Sequence, residues 1–181
     1  DIYIAKCYEA LESASITIKG GRFHLHSSDD GINTAGGNDG SSLGQRPGQN
    51  NFGGGTDHNL TVEGGYIYVN SGGDGIDING SVTMTDGTLI IDGPTAQDNG
   101  AIDSNGTFTL TKGTVIAVGS SRMAQSPAAQ GQGVVSFTVT GKGAGDLIRI
   151  EDATGKELLT FAPAKAYQSV VYSAIAVKSS T

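Results

Sequence analysis

No tryptophan occurs in this chain of 181 residues, which also holds one cysteine and four prolines; its 11 lysines and arginines are outnumbered by 18 aspartates and glutamates. Each shortage narrows the reading. The lone Cys7 cannot make an internal disulfide, so it says little about compartment. A net charge of −7 and the lack of any basic patch argue against nucleic acid as a partner. No apolar run approaches transmembrane length, and no signal-peptide pattern is present. No stretch carries a helical period. Glycine, by contrast, is abundant at 29 residues, yet with four prolines the chain stays below the level of a disordered one and shows no collagen period. Many glycines without tryptophan fit a tightly turning coil of strands, and the length suits one domain with a substantial core.

What is present is a repeat of about 22 residues. One signature reads Glu9-Ala10-Leu11-Glu12, Asp30-Gly31-Ile32-Asn33, Asp74-Gly75-Ile76-Asp77 and Gly100-Ala101-Ile102-Asp103. A second begins at Ser15, Asn59, Ser81 and Thr107, with spacings of 44, 22 and 26 residues. The 44 is one repeat plus an insertion at Gly36 to His58. Asp1 to Glu12 overlays Arg22 to Asn33 at an offset of 21, so the chain begins within a repeat and reads as a piece of a longer secreted precursor. Each repeat holds three short alternating stretches joined by Gly, Asn and Asp, which argues for strands and turns. The expected fold is all-β: a right-handed parallel β-helix with three strands per rung over residues 1–133. From Val134 the repeat stops. Four stretches at 134–139, 147–150, 158–161 and 169–172 read as antiparallel strands, with a hairpin at Asp152 to Lys156. Residues 134–181 are expected to cap the same domain and to lie over Ile90 and Ile116.

The inward columns are aliphatic. They include Ile16/Leu60/Val82/Phe108, Phe23/Ile67/Leu89/Val115 and Leu11/Ile32/Ile76/Ile102. The outward columns carry the functional information. The third strand displays Glu9/Asp30/Asp74 and Glu12/Asn33/Asp77/Asp103. Neighbouring strands lie about 4.8 Å apart, where two carboxylates repel by roughly 3.5 kcal/mol at an effective dielectric of about 20. Like charges are not stacked this way without compensation. Calcium, which takes six to eight oxygens at about 2.4 Å, could bridge successive strands, with Asn33, Asn79, Asn105 and backbone carbonyls completing the shell. The competing reading is that these residues only form Asx turns at the corners. A transition metal is disfavoured, because no carboxylate shares a column with His24 or His26.

On another face Tyr3, His24 and Tyr68 share a column, beside Arg22 and Tyr66. Flat rings next to hydrogen-bonding groups suit the faces and hydroxyls of a sugar polymer, although strands favour tyrosine in any case. The insertion has only Leu43 and Phe52 as apolar anchors, and its Arg46 and Asp57 are further ligand-contact candidates.

These motifs resemble the carbohydrate-binding-domain family of secreted bacterial proteins, built on a polysaccharide-lyase-like parallel β-helix. The resemblance is carried by the ITI-GG strands, by Ser28-Asp29-Asp30-Gly31-Ile32-Asn33, Gly73-Asp74-Gly75-Ile76-Asp77 and Gly119 to Gln125, and by the tail Leu159 to Val171. It implies calcium held by the aspartates of the DGI corners, and binding to cellulose or acidic sugars without established cleavage. The chain departs from that pattern at Gly100, where other corners carry Asp or Glu.

Taken together, the candidate calcium ligands are Glu9, Glu12, Asp29, Asp30, Asn33, Asp74, Asp77 and Asp103, and the candidate sugar contacts are Tyr3, Arg22, His24, Tyr66 and Tyr68. The expectation is a non-catalytic, calcium-stabilised polysaccharide-binding module, extracellular or at the cell surface. It has no membrane span, and its open rung ends allow self-association. A calcium-dependent polysaccharide lyase is the first alternative; its base would come from Arg22, Lys19 or Lys6. A structural, adhesive or filament-forming surface protein is the second, suggested by the threonine ladder Thr17/Thr61/Thr83/Thr109.

Overall fold

The structure, a computed structural model, describes residues 1–34 and 58–178. Leu43, Arg46, Phe52 and Asp57 of the insertion lie outside the described residues. Five strands precede the insertion: β1 (Ile2–Cys7), β2 (Leu11–Glu12), β3 (Ile16–Ile18), β4 (Arg22–Ser27) and β5 (Ile32–Asn33). The repeat then resumes with β6 (Leu60–Val62), β7 (Tyr66–Ser71), β8 (Ile76–Ile78) and β9 (Val82–Met84). It continues through β10 (Thr88–Asp92), β11 (Ile102–Ser104), β12 (Phe108–Leu110) and β13 (Thr114–Gly119). The tail holds β14 (Ala128–Ala129), β15 (Gly133–Lys142), β16 (Ile148–Glu151), β17 (Glu157–Phe161) and β18 (Tyr167–Ala174). No helix occurs among the described residues.

The chain visits three sheets in turn. Strands β3, β6, β9, β12 and β14 line one; β1, β4, β7, β10 and β13 a second; β2, β5, β8 and β11 a third. Pairing within each of these sets is parallel, a β-helix-like arrangement. The register follows the repeat spacing: Ile2 faces Phe23, Leu11 faces Ile32, Ile16 faces Leu60, Leu60 faces Val82, and Val82 faces Phe108. Between the first and second strand of each repeat the backbone turns through a left-handed glycine, at Gly21, Gly65, Gly87 and Gly113 (φ 97°, 98°, 98° and 122°). A side chain there would be strained, which explains the recurrent glycine.

Inward residues from all three sheets form one core, in which Leu25, Ile32, Leu60, Ile67, Ile76, Leu89, Ile102 and Leu110 are fully or almost fully buried. Each such side chain contributes about 1.5–3 kcal/mol. In the tail, β18 pairs antiparallel with β13, and β15 with β18, so the second sheet is extended and its edge covered. The β16–β17 hairpin turns at Asp152, whose carboxylate accepts from the Thr154 and Lys156 backbone N–H groups at 2.8 and 3.1 Å. Its Ile150, Leu158, Leu159 and Phe161 pack with Ile116, Tyr172 and Ile90 in a second apolar cluster. The tail therefore covers the outward isoleucine column, as the pattern predicts.

Candidate functional site

The third sheet gathers acidic groups at its corner because Asp30 and Asp74 both directly precede a glycine that tolerates no side chain. A Cβ on Gly31 would stand 2.5 Å from the Gly75 carbonyl oxygen, and one on Gly75 would stand 2.3 Å from that of Ala101. Backbones this close hold successive corners in register. Gly31 N–H donates to the Asp74 carbonyl at 2.9 Å, and Gly75 N–H to that of Gly100 at 3.0 Å. The side chains then interlock along the same stack: the Asp74 N–H donates to Asp30 Oδ1 at 2.8 Å, and the Gly100 N–H to Asp74 Oδ1 at 2.5 Å.

Asp30, Asp74 and Asp77 each offer a carboxylate oxygen, all within 4.8 Å of one another. The sequence pattern places these residues on an outward, displayed face; the structure corrects this for Asp30, Asn33 and Asp74, which are buried. Burial penalises the charged form and neighbouring carboxylates add to the penalty. Burial, then Asp77 and Asp29, raise the Asp30 carboxyl to about 7, against the Asp74 N–H, which pulls it down. Asp74 is raised to about 8, by burial first; the Gly100 N–H opposes this while Asp30, Asp103 and Asp77 add to it.

Two observations bear on whether a cation fits here. Asn33 Nδ2 donates to Asp30 Oδ2 at 3.2 Å, while its Oδ1 is buried with no hydrogen-bond partner. Leaving such an oxygen unsatisfied costs about 1–3 kcal/mol, which an ion bound within its reach would relieve. Gly73 also has no side chain where one would collide: a Cβ would lie 2.4 Å from Asp29 Oδ1 and 2.5 Å from Asp30 Oδ1. The donor set is all oxygen, with no histidine or cysteine in the group, and so suits a hard divalent cation.

The other predicted ligands stand at different distances from this centre. Asp29 acts on Asp30 and Asp103 on both buried aspartates through their charge, and Asp103 Oδ1 accepts from Gln125 Nε2 at 3.0 Å. Glu12 pairs in register with Asn33, and Glu9 precedes Ala10, whose N–H donates to the Asp30 carbonyl; neither belongs to the three-carboxylate group. Asn105 Nδ2 donates to Asn79 Oδ1 at 3.3 Å, so these two amides form their own ladder. At Gly100 a Cβ would meet the Met123 carbonyl oxygen at 2.7 Å, which explains why this corner carries no acid.

The aromatic strip assembles across β1, β4 and β7. Tyr3 lies against His24 (ring centroids 6.2 Å apart), and His24 against Tyr66 and Tyr68 (5.9 and 6.0 Å). The Arg22 guanidinium stands 5.5 Å from the Tyr66 ring centroid. His26, two residues beyond His24 on the same face, joins the strip at 6.3 Å from Tyr3 and 5.9 Å from Tyr68. Tyr3 is 71% exposed, whereas Tyr68 is half-buried and its hydroxyl donates to Asp92 Oδ2 at 2.7 Å. Burial, and then Asp92, push the Tyr68 phenol well above its usual range.

Asp92 also accepts the Ala164 N–H on Oδ1 at 3.2 Å. Next to it, the Lys165 ammonium donates to the Ser71 carbonyl, and burial lowers that amine to about 8 despite the attraction of Asp92. Lys165 arrives from the tail, outside the repeat, so no column could have brought it forward. Asp92 continues the His26/Asn70 column, which corrects the expectation that no carboxylate shares a column with His26.

No protein-family model, curated protein or solved structure matches this chain. Its functional reading therefore rests on the acidic centre and the strip themselves.

Proposed function

We propose that this protein is a calcium-stabilised, non-catalytic module that binds polysaccharide outside the cell or at its surface. Its scaffold would be a right-handed parallel β-helix with three strands per rung. The observation that carries the proposal is the close group of buried Asp30 and Asp74 with half-buried Asp77, next to Asn33, whose Oδ1 is buried without a hydrogen-bond partner. Calcium would supply the positive charge that these carboxylates need to ionise together, with Asp29 and Asp103 adding to the negative field. The groups it would engage are already held by Gly31, Gly73, Gly75 and the Gly100 N–H, so binding would lock neighbouring corners together. Such a centre, enclosed by protein oxygens, serves stability rather than substrate activation.

The sugar would be met on the separate strip of Tyr3, Arg22, His24, Tyr66 and Tyr68, where the exposed Tyr3 ring and the half-buried rings of His24, Tyr66 and Tyr68 stand beside donors and acceptors. A glycan array probed with and without calcium tests the proposal. Binding to cellulose or acidic glycans that weakens in Tyr66→Ala supports it, and the lack of any glycan signal removes it.

A lyase is the second reading, and Lys165 is what favours it. An amine lowered to about 8 at the edge of the strip is better suited to proton abstraction than Arg22, Lys19 or Lys6. Against it, that amine is engaged by the Ser71 carbonyl. Ultraviolet absorbance of unsaturated products, formed from polygalacturonate and lost in Lys165→Met, would establish the lyase instead.

A further inference from the structure

The column that holds Arg22 and Tyr66 does not end at the aromatic rings. Register continues it to Thr88 and Thr114 across β4, β7, β10 and β13. At about 4.8 Å per strand, the three steps from Arg22 to Thr114 cover about 14 Å, the span of a short oligomer rather than a single ring. The far end opens into a groove of about 290 Å³. Thr88 and Thr114 line it, Asp86 and Lys112 stand on one side, and Ile175, 61% exposed, stands beyond the end of β18. Its volume lies just below the range of whole ligand sites, roughly 300 to 1,000 Å³, and suits one sugar ring rather than a whole ligand.

The composition of this groove differs from the rest of the column. The turns of the two earlier repeats present Gly20 and Gly64, whereas the corresponding turns here present Asp86 and Lys112. Those two side chains pair at 2.8 Å and leave the groove close to neutral. Together they offer an acceptor and a donor side by side, matching two adjacent hydroxyls of a pyranose. Ile175 offers an apolar wall for the C–H face of the same ring, and the threonines add hydroxyls. A carboxylated sugar would gain Lys112 but set its charge against Asp86, so the pairing favours a neutral ring.

We propose that this groove is an end subsite for a neutral, hydroxyl-rich glycan whose chain runs from the Tyr66 platform over Thr88 to Thr114. The inference rests on the strip being a sugar-binding surface, and it adds where the chain ends and what charge the terminal ring carries.

Calorimetry with cello-oligosaccharides and with galacturonate oligomers of increasing length tests it, using the full chain, Tyr66→Ala, Lys112→Gln and Ile175→Ser. The two groove residues are exposed, and melting curves establish that their variants fold. The expected result is cello-oligosaccharide affinity that rises with length, with about fivefold loss in Lys112→Gln and in Ile175→Ser for the longer oligomers, the scale of one lost contact. Wild-type affinity in both groove variants, with binding lost in Tyr66→Ala, overturns the subsite and leaves the strip standing. Preference for galacturonate oligomers overturns the neutral class. Absence of binding to either series removes both the subsite and the sugar-binding reading beneath it.

Discussion

Asp30 and Asp74 are acids that the fold makes hard to ionise, and this sets a pH dependence of definite sign. Their folded values, about 7 and about 8, lie above the ordinary aspartate value of 3.8. Between these limits the folded chain binds more protons than the unfolded one, so stability is highest at low pH and falls as pH rises from about 4 towards 8. In chelator the melting temperature should therefore drop across that range, by on the order of 5 °C or more. Saturating calcium should flatten or reverse the trend, because the ion favours the deprotonated carboxylates. Thermal melts at a series of pH values, with and without calcium, check both limbs. Gly73 gives a second prediction from the same centre. Gly73→Ala inserts a methyl 2.4–2.5 Å from Asp29 Oδ1 and Asp30 Oδ1. Calcium affinity should fall about tenfold or more, with a smaller loss of melting temperature in chelator, since the two closest atoms are carboxylate ends and the Asp29 backbone carbon, at 3.0 Å, has to give by only a little. Asn33→Leu removes both the unpartnered Oδ1 and the Nδ2 bond to Asp30, so it should abolish most of the calcium response and also lower the melting temperature in chelator, by the scale of one buried hydrogen bond, about 1 kcal/mol.

The strands stack through glycines with no room for a side chain at Gly31 and Gly75, and a polar cluster at Asp92 helps tie down the tail. Gly75→Ala would drive a methyl to 2.3 Å from both the Ala101 carbonyl oxygen and Ile91 Cγ2. An overpacked core of this kind costs about 1–3 kcal/mol or more, so a melting temperature lower by roughly 3–10 °C is expected in differential scanning calorimetry, with calcium present. The tail is anchored where Asp92 accepts from Tyr68 and Ala164, with Lys165 on the Ser71 carbonyl. The Lys165 amine, about 8 when folded against an ordinary value of 10.5, holds its proton less in the folded chain than in the unfolded one between those values, so stability grows as pH rises through that window. The difference in melting temperature between wild type and Lys165→Met should widen in favour of wild type from pH 8 to pH 10, and a constant difference would show that the amine is not held as described.

Across the molecule, the parts visible in the sequence are those that obey the repeat. Offsets of 21, 44 and 22 residues became strand register at Tyr3–His24, Thr17–Thr61 and Thr61–Thr83, because one residue of slip would turn every core side chain outward. The pairing of Asp30 with Asp74 was legible for the same reason. What the pattern could not convey depends on contacts outside the period. The reach of Lys165 to Ser71 and the bond of Asp92 to the Ala164 N–H join the tail to repeats with which it shares no column. Sequence alternation reports which way a side chain leaves its strand, not what later covers it. That is why Tyr68 reads as an open ring although its hydroxyl is tied to Asp92.

Titration of calcium into metal-stripped protein, followed by calorimetry and by melting of the same samples, tests the acidic centre most directly. Saturable binding, with a raised melting temperature that Asp74→Ala eliminates, is the outcome expected of Asp30, Asp74 and Asp77 acting on one ion. No heat of binding and superimposable melts in calcium and chelator would contradict it.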